Sequence, residues 1–425
     1  MRYYRPSDAR PYGARMSVED CDKCFYFDDS LTVLTNEKGW RTGRGNVCAR
    51  EGSFYYEVKI IRGVRPEGSP VPHDYNTAHG PLPHIRVGWA RREAPLDSPV
   101  GFDGYSYGLT DIRLDPMHKS RASKYLDDGS ERAQSKLKSK SKPSKNKKDP
   151  NAGFNADDHA REGDIIGLEI QLPSIALHRK IVEGNYNPAV DTDSGLNQPT
   201  VVTTANNQLD PEDLAQNIVR DRFPVPYKTN MYFETYDYRP SKAMEAYGDR
   251  GPHSRETPST NHADPTVRCL PHSHIKVYKN GRMIGTAFRN LMAFLPPASA
   301  PNPAEKNARP GFDDGMVGYF PAISAFAGGV AQVNFGPDFW CPPQELVSSK
   351  KNGDATEVKI EEPAQTTNLA GLGTYDQDQA MREAMNPPRS RLRGINVRYD
   401  EQIAEDILSD IMDEVDFYMQ DGGVD

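Results

Sequence analysis

Arg86 lies in HIRVGWARREAPLDSPVGFDGYSYGL, residues 84–109, where a strand pattern runs into a loop dense in proline, glycine and aromatic rings. Strict alternation puts Ile85, Val87 and Trp89 on one face of that strand and Arg86, Gly88 and Ala90 on the other. Arg86 therefore stands opposite a buried aliphatic and aromatic row. Pro95, Pro99, Gly101 and Gly104 cannot continue a helix or a central strand, so an ordered loop is expected, carrying Phe102, Tyr105 and Tyr107 back toward Arg86. A fixed guanidinium pairs carboxylates bidentately, and neighbouring rings and a proline hold an apolar residue beside them. The chemistry is recognition of an extended acidic peptide.

Catalytic chemistry has no comparable foothold. The sequence holds no G-x-S-x-G, H-E-x-x-H, phosphate-binding glycine-lysine loop or dinucleotide fingerprint. His84 with Arg86 would suit an anion in an enzyme pocket, but no nucleophile or acid accompanies them, and peptide binding is the more economical reading. Cys21 and Cys24 make half of a zinc site, with no second CxxC or HxxxH nearby to complete it. His272 and His274 precede a strand with no carboxylate or cysteine cluster. No metal and no cofactor is expected.

The elements that must position Arg86 are strands. SLTVLT (30–35), FYYEVKII (54–61), RVGWA, DIIGLEIQL (164–172), NMYFETY (230–236), HIKVYKNGRMIGTAF (274–288), YFPAIS and VAQVNFG (319–336) alternate or run apolar with β-branched and aromatic residues. In the second of these, Phe54, Tyr56, Val58 and Ile60 share a core face, while Tyr55, Glu57 and Lys59 face solvent or a second layer. Asn280-Gly281 between two apolar runs predicts a type I′ hairpin. The fold class is all-β.

Composition bounds the core. Of 425 residues only 36% are hydrophobic, and 35 prolines with 34 glycines break the chain repeatedly. No apolar run is long enough to span a membrane and the first residues lack a signal peptide, so a soluble intracellular protein without a membrane partner is expected. Five cysteines, an odd and sparse set, suit reduced thiols. Long insertions are expected near 113–160, 174–220, 237–272 and 293–313, with a flexible linker over 344–395, because those segments are rich in Pro, Asn, Asp, Ser and Gly.

Net charge is -8, unevenly placed. Residues 1–20 open with a basic aromatic arm carrying Arg2, Arg5 and Arg10 among Tyr3, Tyr4 and Tyr12. Inside the 113–160 insertion, Lys136, Lys138, Lys140, Lys142, Lys145, Lys147 and Lys148 alternate with serine. Both suit contact with nucleosomal DNA by charge, the lysine run also suits nuclear import, and for both the competing reading is a solvated, solubilising stretch. At the other end, residues 396–419 contain no Pro or Gly, and Ala404, Leu408, Ile411 and Val415 recur at helical spacing, with Ile403 and Ile407 widening the stripe. An acidic outer face excludes a basic membrane helix. The linker before it points to an external helical partner rather than to its own sandwich.

EGSFYYEVKI, IRVGWA, SPVGFDGYSYGL, EGDIIGLEIQLP, IKVYKNGRMIGTAF and YFPAIS followed by VNFGP occur in the order found in SPRY domains. Over roughly residues 21–343 and the terminal helix, the chain resembles the Ash-two/Bre-two SPRY subunits of COMPASS, the Set-one/MLL-type histone-three lysine-four methyltransferase complex. That resemblance implies a bent sandwich of two antiparallel sheets. It also implies a non-catalytic nuclear scaffold that stimulates a SET-domain methyltransferase and binds an acidic segment of a WD-repeat subunit of the retinoblastoma-binding-protein-five/Swd-one type. The family's groove residues fall on Trp40, Arg86, Pro99 and Phe102, with Arg113 and Lys119 as candidates for its basic pair. Trp40 and Phe102 replace tyrosines of the animal members, so those hydroxyl contacts are absent. Ala404, Ile407, Leu408, Ile411 and Val415 align with a docking helix for a Dpy-thirty-type homodimer. The contrasting expectation is a free SPRY adaptor, such as a substrate receptor for ubiquitin ligation, but no RING, B-box or SOCS-type box is visible.

Overall fold

The computed structural model describes residues 10–64, 82–124, 159–191, 223–227, 230–234, 240–249, 256–299, 313, 315, 317–346 and 392–405. Strands appear where β-branched and aromatic residues alternate: β1 (Met16–Cys21), β2 (Tyr26–Phe27), β3 (Val33–Asn36), β4 (Arg41–Gly45), β5 (Gly52–Arg62), β6 (His84–Ala90) and β7 (Ser106–Thr110). They continue as β8 (Pro116–His118), β9 (Arg121–Ala122), β10 (Ile165–Leu172), β11 (Phe223–Tyr227), β12 (Asn230–Glu234), β13 (His274–Lys279), β14 (Arg282–Arg289), β15 (Phe320–Phe326), β16 (Gly329–Asn334) and β17 (Arg393–Gly394). One sheet has seven strands in the order β1-β4-β15-β6-β7-β8-β9, and the other runs β14-β13-β10-β5-β16-β3-β2 with β17 beside β5. Every pairing within the two sheets is antiparallel except β17 with β5. The β11–β12 hairpin forms a separate pair.

The core lies between the two large sheets. From β5 it takes Phe54, Tyr56, Val58 and Ile60, and from β6 Ile85, Val87 and Trp89, all buried. The rings of Tyr56 and Trp89 meet edge to face at 4.9 Å, and the Tyr56 hydroxyl donates to the Gly88 carbonyl of the opposite sheet. The β13–β14 hairpin turns at Asn280 and Gly281, with φ of 51° and 78°, the positive pair that a type I′ turn requires.

The other face of β5 is not solvated. Tyr55 and Glu57 are fully buried beneath the chain that follows β16: Tyr55 packs on Phe339 and Tyr278, and the Glu57 carboxylate accepts from the backbone N–H of Trp340 and Cys341 at 2.7 and 2.9 Å. Burial raises the pKa of Glu57 despite those donors.

Each expected insertion gives part of itself to the fold. Residues 116–122, within the 113–160 insertion, extend the seven-stranded sheet as β8 and β9. The 174–220 segment opens with helix α1 (Ile175–Glu183), capped by Ser174 and ended by Gly184 in the left-handed region, and it sinks Leu177, Ile181 and Val182 into the core. Helix α2 (Lys242–Gly248) and a 3-10 turn (Pro265–Val267) do the same for 237–272 through Met244, Tyr247, Val267 and Leu270. Ala293, Phe294, Leu295 and Ala298 do so for 293–313. Polar composition hid these pieces because a few apolar residues at helical spacing suffice to anchor a short segment. The linker likewise ends early: Leu392 is buried and β17 pairs with Phe54 and Tyr55 of β5.

Candidate functional site: a basic aromatic groove

Alternation along β6 places His84 and Arg86 on the outer face of the seven-stranded sheet, opposite its core row. Across from them on β15 are Phe326 and Ser324, and across on β7 Thr110 faces Arg86. Trp40, in the turn before β4, lies over this end of the sheet, with its ring 5.2 Å from Phe326 and 6.4 Å from His84. The Arg86 guanidinium sits 4.9 Å from the Trp40 centroid, within cation–π range. Its Nε is buried without a hydrogen-bond partner. Burial lowers the pKa of Arg86, an effect opposed by the Asp111 carboxylate, yet a guanidinium remains charged at any physiological pH.

Asp111 also sets the shelf beside Arg86. Its Oδ2 takes a hydrogen bond from the Ile85 N–H at 2.9 Å and lies 3.0 Å from His84 Nδ1, which holds the imidazole flat against Trp40. The loop expected between Arg86 and Tyr107 folds back over the same face and is stitched to it. Val100 N–H donates to Ser324 Oγ at 2.8 Å, Thr42 Oγ1 donates to the Ser98 carbonyl at 2.6 Å, and Thr42 N–H donates to Leu96 O. Gly88 and Gly108 face each other in the ladder below it. A Cβ on Gly108 would run into the Val100 backbone, so both glycines permit the loop's close approach. Pro99 thus sits next to the residue bonded to Arg86's cross-strand neighbour. Phe102, whose N–H closes a turn onto Pro99 O, is 40% exposed.

The structure therefore brings Trp40, Arg86, Pro99 and Phe102 to one sheet face and adds His84, Phe326 and Asp111. Residues 106–110, expected as loop, are strand β7, because Tyr107 and Leu109 point into the core while Ser106 and Gly108 lie under the returning loop. Phe326 was legible in principle, since it shares the parity of Ser324 in an alternating strand. Asp111 gave no signal because its role depends on β7 lying beside β6.

The two basic candidates go separate ways. Arg113 Nε lies 3.7 Å from Asp115 Oδ2 in the turn after β7, at the Arg86 end. Lys119 belongs to the β8–β9 turn, which donates from Lys119 N–H to Asp103 O and from Ser120 Oγ to Phe102 O, so it joins the groove at Phe102. Its ammonium lies 3.6 Å from the Tyr247 ring on α2. Tyr247 was missed because it comes from the 237–272 segment.

Asp103, under Phe102, has its carboxyl pushed up to about 6 by burial, although it accepts from Tyr105 N–H and Ser106 Oγ. A raised folded value means that the folded chain holds this proton longer than the unfolded chain, whose carboxyl titrates at about 3.9. Stability from this group is therefore lost as pH rises from about 4 to about 6. The neighbouring His118, held down at about 4 by burial, acts with the opposite sign over an overlapping window. The Asp103→Asn variant is expected to remove only the first contribution. Subtracting its urea-unfolding free energies from those of the unaltered protein between pH 4 and 7 should leave a falling difference, and a flat difference would contradict this assignment.

Cys21, buried, donates toward Arg44 O at 3.7 Å, and burial pushes its thiol up to about 12, so it is a packed protonated thiol. Among the described residues no group of three or more His, Cys, Asp or Glu side chains is placed to hold a metal ion. Arg10 is described, with its guanidinium 5.7 Å from the Tyr12 ring. Arg2, Arg5, the lysines from Lys136 to Lys148, and Ile407, Leu408, Ile411 and Val415 lie outside the described residues.

The start of the terminal helix departs from expectation. Residues 397–405 are helical and, instead of standing off on a linker, pack against the sandwich, burying Arg398, Gln402 and Ile403. Ala404 is only half buried. Ile403 therefore faces the chain's own domain and does not widen an outward stripe.

Two antiparallel sheets around one core, with Arg86 stacked on Trp40 on an outer face, make the chain a β-sandwich. No protein-family model matches the chain. COMPASS component cclA of Colletotrichum higginsianum is 42% identical over 99% of this chain and 64% of its own length. Set1 complex component ash2 of Schizosaccharomyces pombe is 31% identical over 97% of this chain and 43% of its own length. COMPASS component BRE2 of Saccharomyces cerevisiae is 26% identical over 97% and 86%. A solved human SPRY domain matches at 11% identity with a TM-score of 0.29, covering 75% of this chain and 98% of its own. The chain is similar over nearly its whole length to proteins named as components of COMPASS and Set1 complexes, and it spans 64% or less of the cclA and ash2 proteins.

Proposed function

We propose that this chain is a non-catalytic scaffold subunit of a nuclear COMPASS-type histone-three lysine-four methyltransferase complex. Its groove takes an acidic segment of the WD-repeat subunit of the retinoblastoma-binding-protein-five/Swd-one type, its terminal helix docks a Dpy-thirty-type homodimer, and the assembly stimulates the SET-domain methyltransferase. The observation that carries this reading is Arg86, a half-buried cation stacked on Trp40 with Nε unpaired in a groove floored by Phe326 and His84. A buried donor without a partner is costly, and a carboxylate from an extended segment satisfies it while the shelf of rings holds an adjacent apolar side chain. A scaffold of this kind raises the rate of a bound methyltransferase by fixing the geometry of its neighbours, so it needs no reacting group of its own.

The deciding test is reconstitution. Methyl transfer to histone three by the SET-domain and WD-repeat subunits should rise when this chain is added, and the chain alone should transfer nothing. Equal rates with and without it would refute the proposal.

Nucleosomal DNA is assigned to the basic arm and the lysine run. Deleting residues 132–148 is expected to leave the WD-repeat contact unaltered and to weaken nucleosome binding more at low than at high salt, because contacts with phosphates are screened. Superimposable nucleosome titrations at low salt would rule the lysine run out as a DNA contact.

A further inference from the structure

His84 is the second group on the groove floor able to carry a positive charge. It shares the outer face of β6 with Arg86, and alternate residues of a strand lie about 7 Å apart. Its ring stacks on Trp40 at 6.4 Å and leans on Phe326 at 6.2 Å. Asp111, buried in the turn after β7, fixes the ring: its Oδ2 lies 3.0 Å from His84 Nδ1 and accepts from the Ile85 N–H at 2.9 Å. A carboxylate only accepts, so Nδ1 carries the imidazole proton and Nε2 is the ring's remaining polar position. Among the described residues no hydrogen bond reaches Nε2, and the side chain is 22% exposed, enough for a ligand to meet it. Protonated, the ring keeps Asp111 at Nδ1 and gains a donor at Nε2.

We infer that His84, oriented by Asp111, is a second anion-binding residue of the groove, which takes its acidic segment as two carboxylates separated by one residue and takes up a proton with it. This rests on the acidic-segment reading above. In an extended segment running along β6, residues i and i+2 point to one side about 7 Å apart, which matches the spacing of Arg86 and His84 on their strand. The first carboxylate meets the guanidinium, the second meets Nε2–H, and the residue between them points away. A neutral imidazole offers Nε2 only as an acceptor, and two acceptors repel, so the second carboxylate enters together with a proton. Imidazole is the side chain that ordinarily changes charge between about pH 5 and 8, whereas the Arg86 guanidinium stays charged throughout. Binding therefore strengthens as pH falls. The charged groups around the ring are few. Arg86 lies on β6 itself, Arg113 and Asp115 approach each other at 3.7 Å in the turn after β7, Glu37 and Lys38 stand in the turn that carries Trp40, and the β15–β16 turn from Phe326 to Gly329 has none. Among the described residues only Asp111 comes within ion-pair distance of the imidazole.

The test uses the full chain and two synthetic peptides, one with Glu-Thr-Glu among neutral residues and one with Gln-Thr-Glu in the same frame. Calorimetric titration should show the doubly acidic peptide binding about tenfold tighter at pH 6 than at pH 8, with a heat that varies with the ionisation enthalpy of the buffer as proton uptake requires. The singly acidic peptide should show neither effect. In His84→Gln the two peptides should bind alike, with no dependence on pH. A second measurement needs no variant: the imidazole resonance of His84 should titrate at higher pH with the doubly acidic peptide bound than without it, because a neighbouring anion favours the charged ring. A pH-independent affinity for the doubly acidic peptide, or a resonance whose titration the peptide does not move, would overturn the inference. If that binding is nevertheless lost in Arg86→Ala, the groove reading survives. If neither peptide binds the unaltered chain at either pH, the groove reading falls and this inference falls with it.

Discussion

Replacing Leu408 and Ile411 together with Asp is expected to abolish capture of the Dpy-thirty-type dimer while leaving the sandwich folded and its acidic-segment groove active. Both residues are at the centre of the apolar stripe, where anchors for a groove between partner helices belong. Two carboxylates entering such a groove unpaired would each cost several kcal/mol. The contacts that fix the helix start, from Arg398 to Cys48 and Gln402 to Cys48, involve neither residue and are untouched. A pull-down in which the double variant keeps the dimer would show that the stripe is not its binding surface. Simultaneous loss of the dimer and of the WD-repeat partner would show instead that the stripe belongs to the fold.

Arg86→Ala is expected to weaken binding of the acidic segment by about 2 to 4 kcal/mol, roughly thirty- to a thousandfold. The truncation leaves the segment's carboxylates facing the rings of Trp40 and Phe326 without the guanidinium. Folding should be little affected, because Arg86 contributes to the groove while Ile85, Val87 and Trp89 fill the core. Arg86→Lys should recover only part of the loss, since an ammonium keeps the charge without the planar fork and the ring stacking. Isothermal titration of the three proteins with the acidic segment decides the point. Equal affinities would remove Arg86 from the site, and an absent thermal transition in the alanine variant would mean that its role is in folding.

Much of this was legible in residue order. The alternation in HIRVGWA put Arg86 opposite a buried row, Asn280-Gly281 marked a hairpin, and alternation in β5 put Phe54, Tyr56, Val58 and Ile60 on one core face. These signals are local: side-chain period and turn chemistry act over a few residues, so a linear reading recovers them. The order of the motifs carried the resemblance to the Ash-two/Bre-two family for the same reason.

Three features required the folded chain. Asp111 orients His84 only because β7 pairs with β6, Tyr247 meets Lys119 from a segment more than a hundred residues away, and Arg398 finds Cys48 across most of the sequence. None of these has a periodicity or spacing to read. Each is a polar or aromatic side chain whose partner is selected by burial, and burial is decided by how the sheets and their covering segments come together. The sequence thus specified the faces of strands and helices, whereas tertiary packing determined which polar groups would be trapped beside one another, because only there does the cost of leaving them unpaired arise.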